Sequence, residues 1–198
     1  MLALRDWQRR CICYRGGVSD SDAISFLDAA VLVPVFRDPA GELRLVMIRR
    51  TARGLHGGQL AFPGGRPEPE DDGSMLETAI RETGEEIGLE RDRIRILGEL
   101  PRVDTISTSF RIHPFLSEID HPGEWRKEPA EVDEVLELAV DAMLHPDAVQ
   151  LGSVNAPNWT EPRRIAYFRV GEDKLWGASF RILRPLLTRL AAGEWAIS

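Results

Sequence analysis

Cysteine is nearly absent from this 198-residue chain, which has two, Cys11 and Cys13. Two positions apart, they are too close for an ordinary structural disulfide, and they lack the companions of a zinc site. A disulfide scaffold is thereby excluded, and reduced thiols in a cytoplasmic protein are expected. Long hydrophobic runs are missing as well. The longest, AAVLVPVF at 29–36, falls far short of the roughly 20 residues that cross a bilayer as a helix. The opening residues, MLALRDWQRRCICYRGG, intersperse charge among apolar side chains and show no signal-peptide core. Positive charge is in deficit too, with a net charge of −7. That argues against nonspecific binding to nucleic acid or to an anionic membrane surface. A phosphorylated substrate is still allowed, because metal ions and local arginines reverse the sign of a site. There is no internal repeat and no low-complexity linker. A hydrophobic fraction of 43% and a charged fraction of 29% are ordinary for a globular domain.

The valine-rich run at 29–36 is apolar at every position, as a strand buried on both faces requires. Arg37-Asp38-Pro39-Ala40-Gly41 has turn chemistry and LRLVMIRR at 43–50 reads as a second strand, so the two make a hairpin. A glycine-rich loop, GLHGG at 54–58, leads into QLAFPGG at 59–65, and RPEPEDDG at 66–73 is a polar turn. Ser74 is placed to cap a helix beginning near Met75, and Gly88 to end it. Further strands are predicted at 94–100, 110–119, 133–140 and 164–170, with a closing helix over 178–191 kinked at Pro185. The turn-rich stretches 120–131 and 145–163, holding Trp125 and Trp159, are expected to frame a pocket. The order of elements suggests a mixed sheet between helices. Residues 1–28 read as an N-terminal extension packed on a domain spanning 29–198.

The helix after Ser74 carries Met75, Leu76, Ala79, Ile80, Thr83 and Ile87 on one side and Glu82, Glu85 and Glu86 on another. The expectation is an apolar stripe against the core and an acidic stripe facing out. Carboxylates three and four positions apart crowd together and repel unless a cation neutralises them, and a hard divalent ion prefers such oxygens. Glu82 and Glu86, one turn apart, are the expected ligands, with Glu85 beside them. Arg81 would steer a carboxylate by an ion pair or touch a phosphate. Gly64 and Gly65 have no side chains, so their amides can approach a ligand closely. The set suits hydrolysis of a diphosphate, with a cation bridging phosphate oxygens and a water held for in-line attack. Taken alone, the three glutamates fit a solvated acidic face better than a metal site.

The flanking residues separate these two readings. The segment PGGRPEPEDDGSMLETAIRETGEEIGL at 63–89 resembles the Nudix box, G-x5-E-x7-R-E-U-x-E-E-x-G-U with U aliphatic. Arg81-Glu82, Glu85-Glu86, Gly88 and Leu89 match its second half, with Thr83 in an aliphatic place. In the first half, Gly65 lies two residues too far from Arg81, and Gly73 stands where the first glutamate belongs. A short insertion in 66–74 accounts for this, with Glu68, Glu70, Asp71 or Asp72 standing in. Within the family the chain is most similar to the coenzyme A pyrophosphatase group, through HGGQLAFPGG at 56–65, PAEVDEVLELAV at 129–140 and LWGASFRIL at 175–183. That group's upstream motif would fall on Arg44 to Gly54. There its threonines are replaced by Val46 and Ile48, and its arginine by Gly54.

The resemblance implies a Nudix-type α/β/α sandwich with a mixed central sheet and Mg²⁺- or Mn²⁺-dependent cleavage of a nucleoside-linked diphosphate. For the subgroup it implies coenzyme A giving 3′,5′-ADP and 4′-phosphopantetheine. The expected site comprises Glu85 and Arg81 as catalytic residues and Glu82, Glu86 and Glu85 as metal ligands. Arg50, Arg53, Gly64 and Gly65 are the expected substrate contacts. Glu128, Glu131 and Glu134 lie where some Nudix enzymes place an additional acidic group. Partners are then a small nucleotide substrate, no nucleic acid and no membrane, with a homodimer entertained. Hydrolysis of ADP-ribose, a dinucleotide or a nucleoside triphosphate is the alternative, and a non-catalytic nucleotide-sensing module a further one.

Overall fold

The strand over 29–36 is apolar throughout because it lies in the middle of the molecule with a helix on each side. The computed structural model describes residues 26–52, 57–105, 108–156 and 159–198. Its elements in chain order are β1 (Leu27–Arg37), β2 (Leu43–Arg50), β3 (Leu60–Ala61), β4 (Gly64–Gly65), α1 (Met75–Ile87), β5 (Ile94–Glu99), β6 (Val103–Thr105) and β7 (Phe110–Ile119). They continue with β8 (Val132–Ala139), α2 (Val140–Leu144), β9 (Val149–Val154), β10 (Arg163–Val170), β11 (Asp173–Leu175) and α3 (Gly177–Ala191).

The predicted hairpin is present, with β1 and β2 antiparallel and Val35 opposite Leu45. Its turn is held by Asp38, whose carboxylate accepts from the amides of Ala40 and Glu42, both at 2.9 Å. On its other edge β1 pairs in parallel with β7, from Leu27 opposite Phe110 to Val35 opposite Glu118. Strands β5 and β6 add antiparallel to β7, β8 and β3 to β2, and β4 to β1. The sheet is therefore mixed.

Alternation along the strands divides the core in two. Ala30 and Leu32 of β1 and Val46 and Ile48 of β2 pack with Ala79 and Ile87 of α1. Val33, Val35, Leu45 and Met47 pack with Leu183, Leu186, Leu187 and Leu190 of α3. Helix α1, sheet and helix α3 form the layers of the predicted sandwich. Each such buried aliphatic side chain contributes about 1.5–3 kcal/mol.

Several elements had no signal in the sequence. A second sheet of β9, β10 and β11 stands beside α3, where 149–154 had read as part of a turn-rich stretch. Val149 and Leu151 of β9 are exposed, and Gly152 leaves room for the ring of Tyr167, so the strand's alternating apolar residues face solvent rather than a core. Of the stretches expected to frame a pocket, Glu131 and Ala156 line the cavity described below, while Trp125 does not line it. Its indole donates to Glu137 Oε1 at 2.6 Å, and its ring meets His121 edge-on. His113 is buried and stands 2.8 Å from Asp28 Oδ1. Of the predicted extension, residues 1–25 lie outside the described residues, and Leu27 and Asp28 already belong to β1.

Candidate active site

Helix α1 begins and ends as its sequence requires. The Ser74 hydroxyl accepts from the Glu77 amide at 3.3 Å, and Gly88 closes the helix in the left-handed region at φ 70°. Thr83 occupies an aliphatic place in the core because its hydroxyl donates back to the Ala79 carbonyl at 2.6 Å. The acidic residues depart from expectation. They do not form one outward stripe: Glu86 is 2% exposed, Glu82 is largely covered, and Glu85 has 58% of its side chain in solvent.

Two glycines bring α1 and the sheet together. A Cβ on Gly64, at φ +148°, would lie 2.2 Å from the Ala30 carbonyl oxygen, so strand β4 fits against β1 only as glycine. A Cβ on Gly65 would lie 2.3 Å from the carboxyl carbon of Glu82. The Gly64 amide, expected to face a ligand, donates instead to Glu86 Oε2 at 2.8 Å. Opposite it, Arg50 Nη1 stands 3.5 Å from Glu86 Oε1.

Arg81 organises the other carboxylates. Its Nε and Nη2 grip Asp71 at 2.9 and 3.2 Å, Nη1 reaches Glu85 at 3.0 Å and Nη2 reaches Glu82 at 3.2 Å. Nη2 also donates to the Arg66 carbonyl at 3.1 Å. Asp71 is 2% exposed and accepts further bonds from the Thr78 hydroxyl and the Glu68 amide, each at 2.8 Å. The Arg81 guanidinium, above all, holds the Asp71 carboxyl well below the usual carboxylate range. Of the four stand-ins considered for the missing glutamate, Asp71 is the one bonded in this way. Counted forward from Gly65, the pattern G-x5-E also falls on Asp71. The two extra residues are Asp72 and Gly73, both left-handed at φ 48° and 74°, looped out between Asp71 and the helix cap.

Between β1, the β3–β4 segment, β7 and the start of α3 lies a cavity of about 540 Å³. One end is charged, lined by Glu82, Glu86, Glu131, Arg50 and Arg66, and the remaining wall is largely apolar, including Val31, Phe62, Phe110, Ile112, Trp176 and Ile182. Gly64 and Gly65 line it too. Glu85 and Arg81 do not, and Arg53 lies outside the described residues. Arg49, beside Arg50 on β2, is turned away to Asp173 at 2.6 Å and Glu134 at 3.1 Å. Trp159 backs the cavity wall by packing on Trp176 at 5.3 Å. Tyr167 is a core residue. Arg66 was not singled out from the sequence, although it directly follows the glycine pair.

Burial pushes Glu86 up to about 7, against the opposing pull of the Gly64 amide and Arg50, with Glu82 and Glu131 adding to the rise. Burial raises Glu82 as well, against Arg81. Among the described residues, no three acidic, histidine or cysteine side chains converge as a ready-made metal cluster. The donor set nevertheless fits a hard divalent cation: buried carboxylates sharing one cavity wall are short of positive charge and offer only oxygen.

Gly65→Ala tests the close approach. The residue it meets is the tip of Glu82, so the fold survives while that carboxylate is displaced. Hydrolytic kcat is expected to fall about tenfold or more with little change in melting temperature. Unchanged kcat would show that the position of Glu82 is immaterial.

The family profile described as the NUDIX domain matches residues 27–159. A protein described as the uncharacterized Nudix hydrolase NudL, from Salmonella paratyphi B, is 33% identical over 170 residues, covering 82% of each chain. Its counterpart from Salmonella newport matches equally. Among solved structures, the Nudix hydrolase RenU of M. smegmatis superposes with a TM-score of 0.59 at 15% identity, covering 88% of this chain and 91% of that one. A MutT protein from Methanosarcina mazei gives 0.54 at 17% identity over 84% and 96%. These structural likenesses speak for the fold alone. The chain belongs to the Nudix family and is a hydrolase of nucleoside diphosphate derivatives. Such enzymes work with a divalent metal ion.

Proposed function

We propose that this enzyme cleaves the diphosphate of coenzyme A or a derivative to 3′,5′-ADP and a 4′-phosphopantetheine product, with Mg²⁺ or Mn²⁺. The observation that carries the reading is the cavity of about 540 Å³, which joins buried carboxylates to a largely apolar wall. The sequence likeness to the coenzyme A pyrophosphatase group supports the choice of substrate. The altered upstream motif is what keeps the alternative substrates open: Val46 and Ile48, in the place of its threonines, are fully buried in the core on the α1 side of the sheet and are not among the residues lining the cavity.

In this reading Glu82 and Glu86 hold the cation, which when bound neutralises diphosphate charge and makes phosphorus more electrophilic. Gly64 fixes Glu86 through its amide, and Arg81, itself anchored by Asp71, fixes Glu82. Glu85 acts through Arg81 rather than at the substrate. Glu131, on the cavity wall and tied to no arginine among the described residues, is the carboxylate placed to accept a proton. As water oxygen bonds to phosphorus, the bridging P–O bond breaks and the water proton passes to Glu131. Arg50 contributes positive charge beside the phosphates. A cytoplasmic location follows from the substrate, and no helix among the described residues is long and apolar enough to cross a membrane.

The test is a panel of coenzyme A, acyl-coenzyme A, ADP-ribose, a dinucleotide and a nucleoside triphosphate with Mg²⁺ or Mn²⁺, with products resolved by chromatography. Coenzyme A is expected to give 3′,5′-ADP at the highest kcat/KM. Equal or better cleavage of ADP-ribose would sink the coenzyme A assignment.

A further inference from the structure

We infer that Arg66 is the residue that grips the substrate diphosphate from the rim of the cavity. This rests on the cavity being the diphosphate site and adds a specificity residue to it. The argument begins with the arginines around the carboxylates. Arg49 is committed to Asp173 and Glu134, Arg81 to Asp71, Glu82 and Glu85, and Arg50 leans on Glu86. Arg66 also lines the cavity, yet its exposed guanidinium has no hydrogen-bond or ion-pair partner among the described residues. Of the two cations lining the cavity, Arg50 and Arg66, it is the one whose charge no carboxylate among the described residues answers.

Its place is set on both sides. The Arg66 carbonyl accepts from Arg81 Nη2 at 3.1 Å, so its backbone is pinned to the same guanidinium that holds Glu82. Its neighbour Gly65 lies directly over the Glu82 carboxylate. Arg66 Cα is therefore one peptide, about 3.8 Å, from a backbone position already in contact with the acidic end. A planar guanidinium on such an anchor matches phosphate oxygens in bidentate fashion, and it costs the free protein no broken ion pair.

The experiment compares wild type with Arg66→Ala and Arg66→Lys. Binding of α,β-methylene-ADP is measured by calorimetry with Mg²⁺, and kcat and KM for every substrate that wild type cleaves. Arg66→Ala is expected to weaken methylene-ADP binding and raise KM by about tenfold or more, by a similar factor for each substrate. Its kcat should stay within about threefold and its melting temperature unchanged, with Arg66→Lys in between. Unchanged binding and KM would overturn the inference. So would a loss confined to substrates with a 3′-phosphate, since the diphosphate would then not be the group held. If wild type cleaves no panel member but binds methylene-ADP through Arg66, the hydrolytic assignment fails and this one stands. If coenzyme A is cleaved as well by Arg66→Ala as by wild type, the reverse holds.

Discussion

Glu86→Gln is expected to abolish diphosphate hydrolysis while making the metal-free protein more stable at pH 8. The two effects have one cause. Glu86 is 2% exposed, and burial pushes its carboxyl up to about 7. Its folded pKa thus lies above its unfolded one, so between about pH 4.5 and 7 the folded state holds the extra proton. Stability of the metal-free protein therefore falls as pH rises through that window, by about 3–4 kcal/mol if the whole shift is expressed. Glutamine keeps the acceptor for the Gly64 amide but never carries the charge. The variant should lose that decline and unfold at higher temperature than wild type at pH 8, and at a similar temperature at pH 5. Activity moves the other way, because a neutral amide is a poor ligand for a hard cation. A fall in kcat/KM of at least about 10³ is expected for a residue at the reacting centre. Melting curves at the two pH values, without metal, and turnover with Mg²⁺ check both halves. Retained turnover would remove Glu86 from the site, and equal melting temperatures at pH 8 would show that its burial carries no strain.

Asp71→Ala is expected to be the most destabilising change in the site and to reduce activity without touching substrate. Asp71 is buried beneath Arg81 and closes the ion pair through two of its nitrogens. Removing it leaves a largely buried guanidinium without its main counter-charge, orphans the Glu68 amide and leaves the Thr78 hydroxyl with only the Ser74 carbonyl. Breaking such a pair costs about 3–5 kcal/mol. Arg81 would then lean further on Glu82, and the carboxylate facing the cavity would shift. The expected result is a marked drop in melting temperature together with a kcat loss that Asp71→Glu partly restores. Asp71→Asn keeps the shape without the charge and should fall between. The pH dependence has the sign opposite to that of Glu86. The Asp71 carboxyl is depressed by Arg81, so its contribution is present above the unfolded value near 4 and is lost as pH falls below it. Wild type should therefore lose stability in acid more steeply than Asp71→Asn. A melting temperature unaffected by Asp71→Ala would show that Arg81 finds an equivalent partner.

Much of the fold was legible because local chemistry and packing agree. The unbroken apolar run at 29–36 signalled burial on both faces. Asp38 and Gly41 signalled the hairpin turn, and Ser74 and Gly88 marked the ends of α1 to the residue. The short strands β3, β4, β6, β9 and β11 left no such trace. They have two to six residues and owe their pairing to longer neighbours rather than to their own periodicity.

By itself the sequence determined the family, the helix that carries the acidic residues, and the Arg81-Glu82 and Glu85-Glu86 pairs that match the family's motif. These depend on spacing along one helix, which sequence fixes. Only the tertiary structure decided how the carboxylates divide. Glu86 is drawn inward by the Gly64 amide, Glu82 lies under Gly65, and Glu85 turns out to solvent on Arg81. It also brought Asp71, in register with the motif's first glutamate, onto Arg81, and left Arg66 rather than Arg49 at the cavity without an ion-pair partner among the described residues. Those outcomes depend on which groups from distant segments meet across the sheet, and helical spacing carries no record of the partner on the other side.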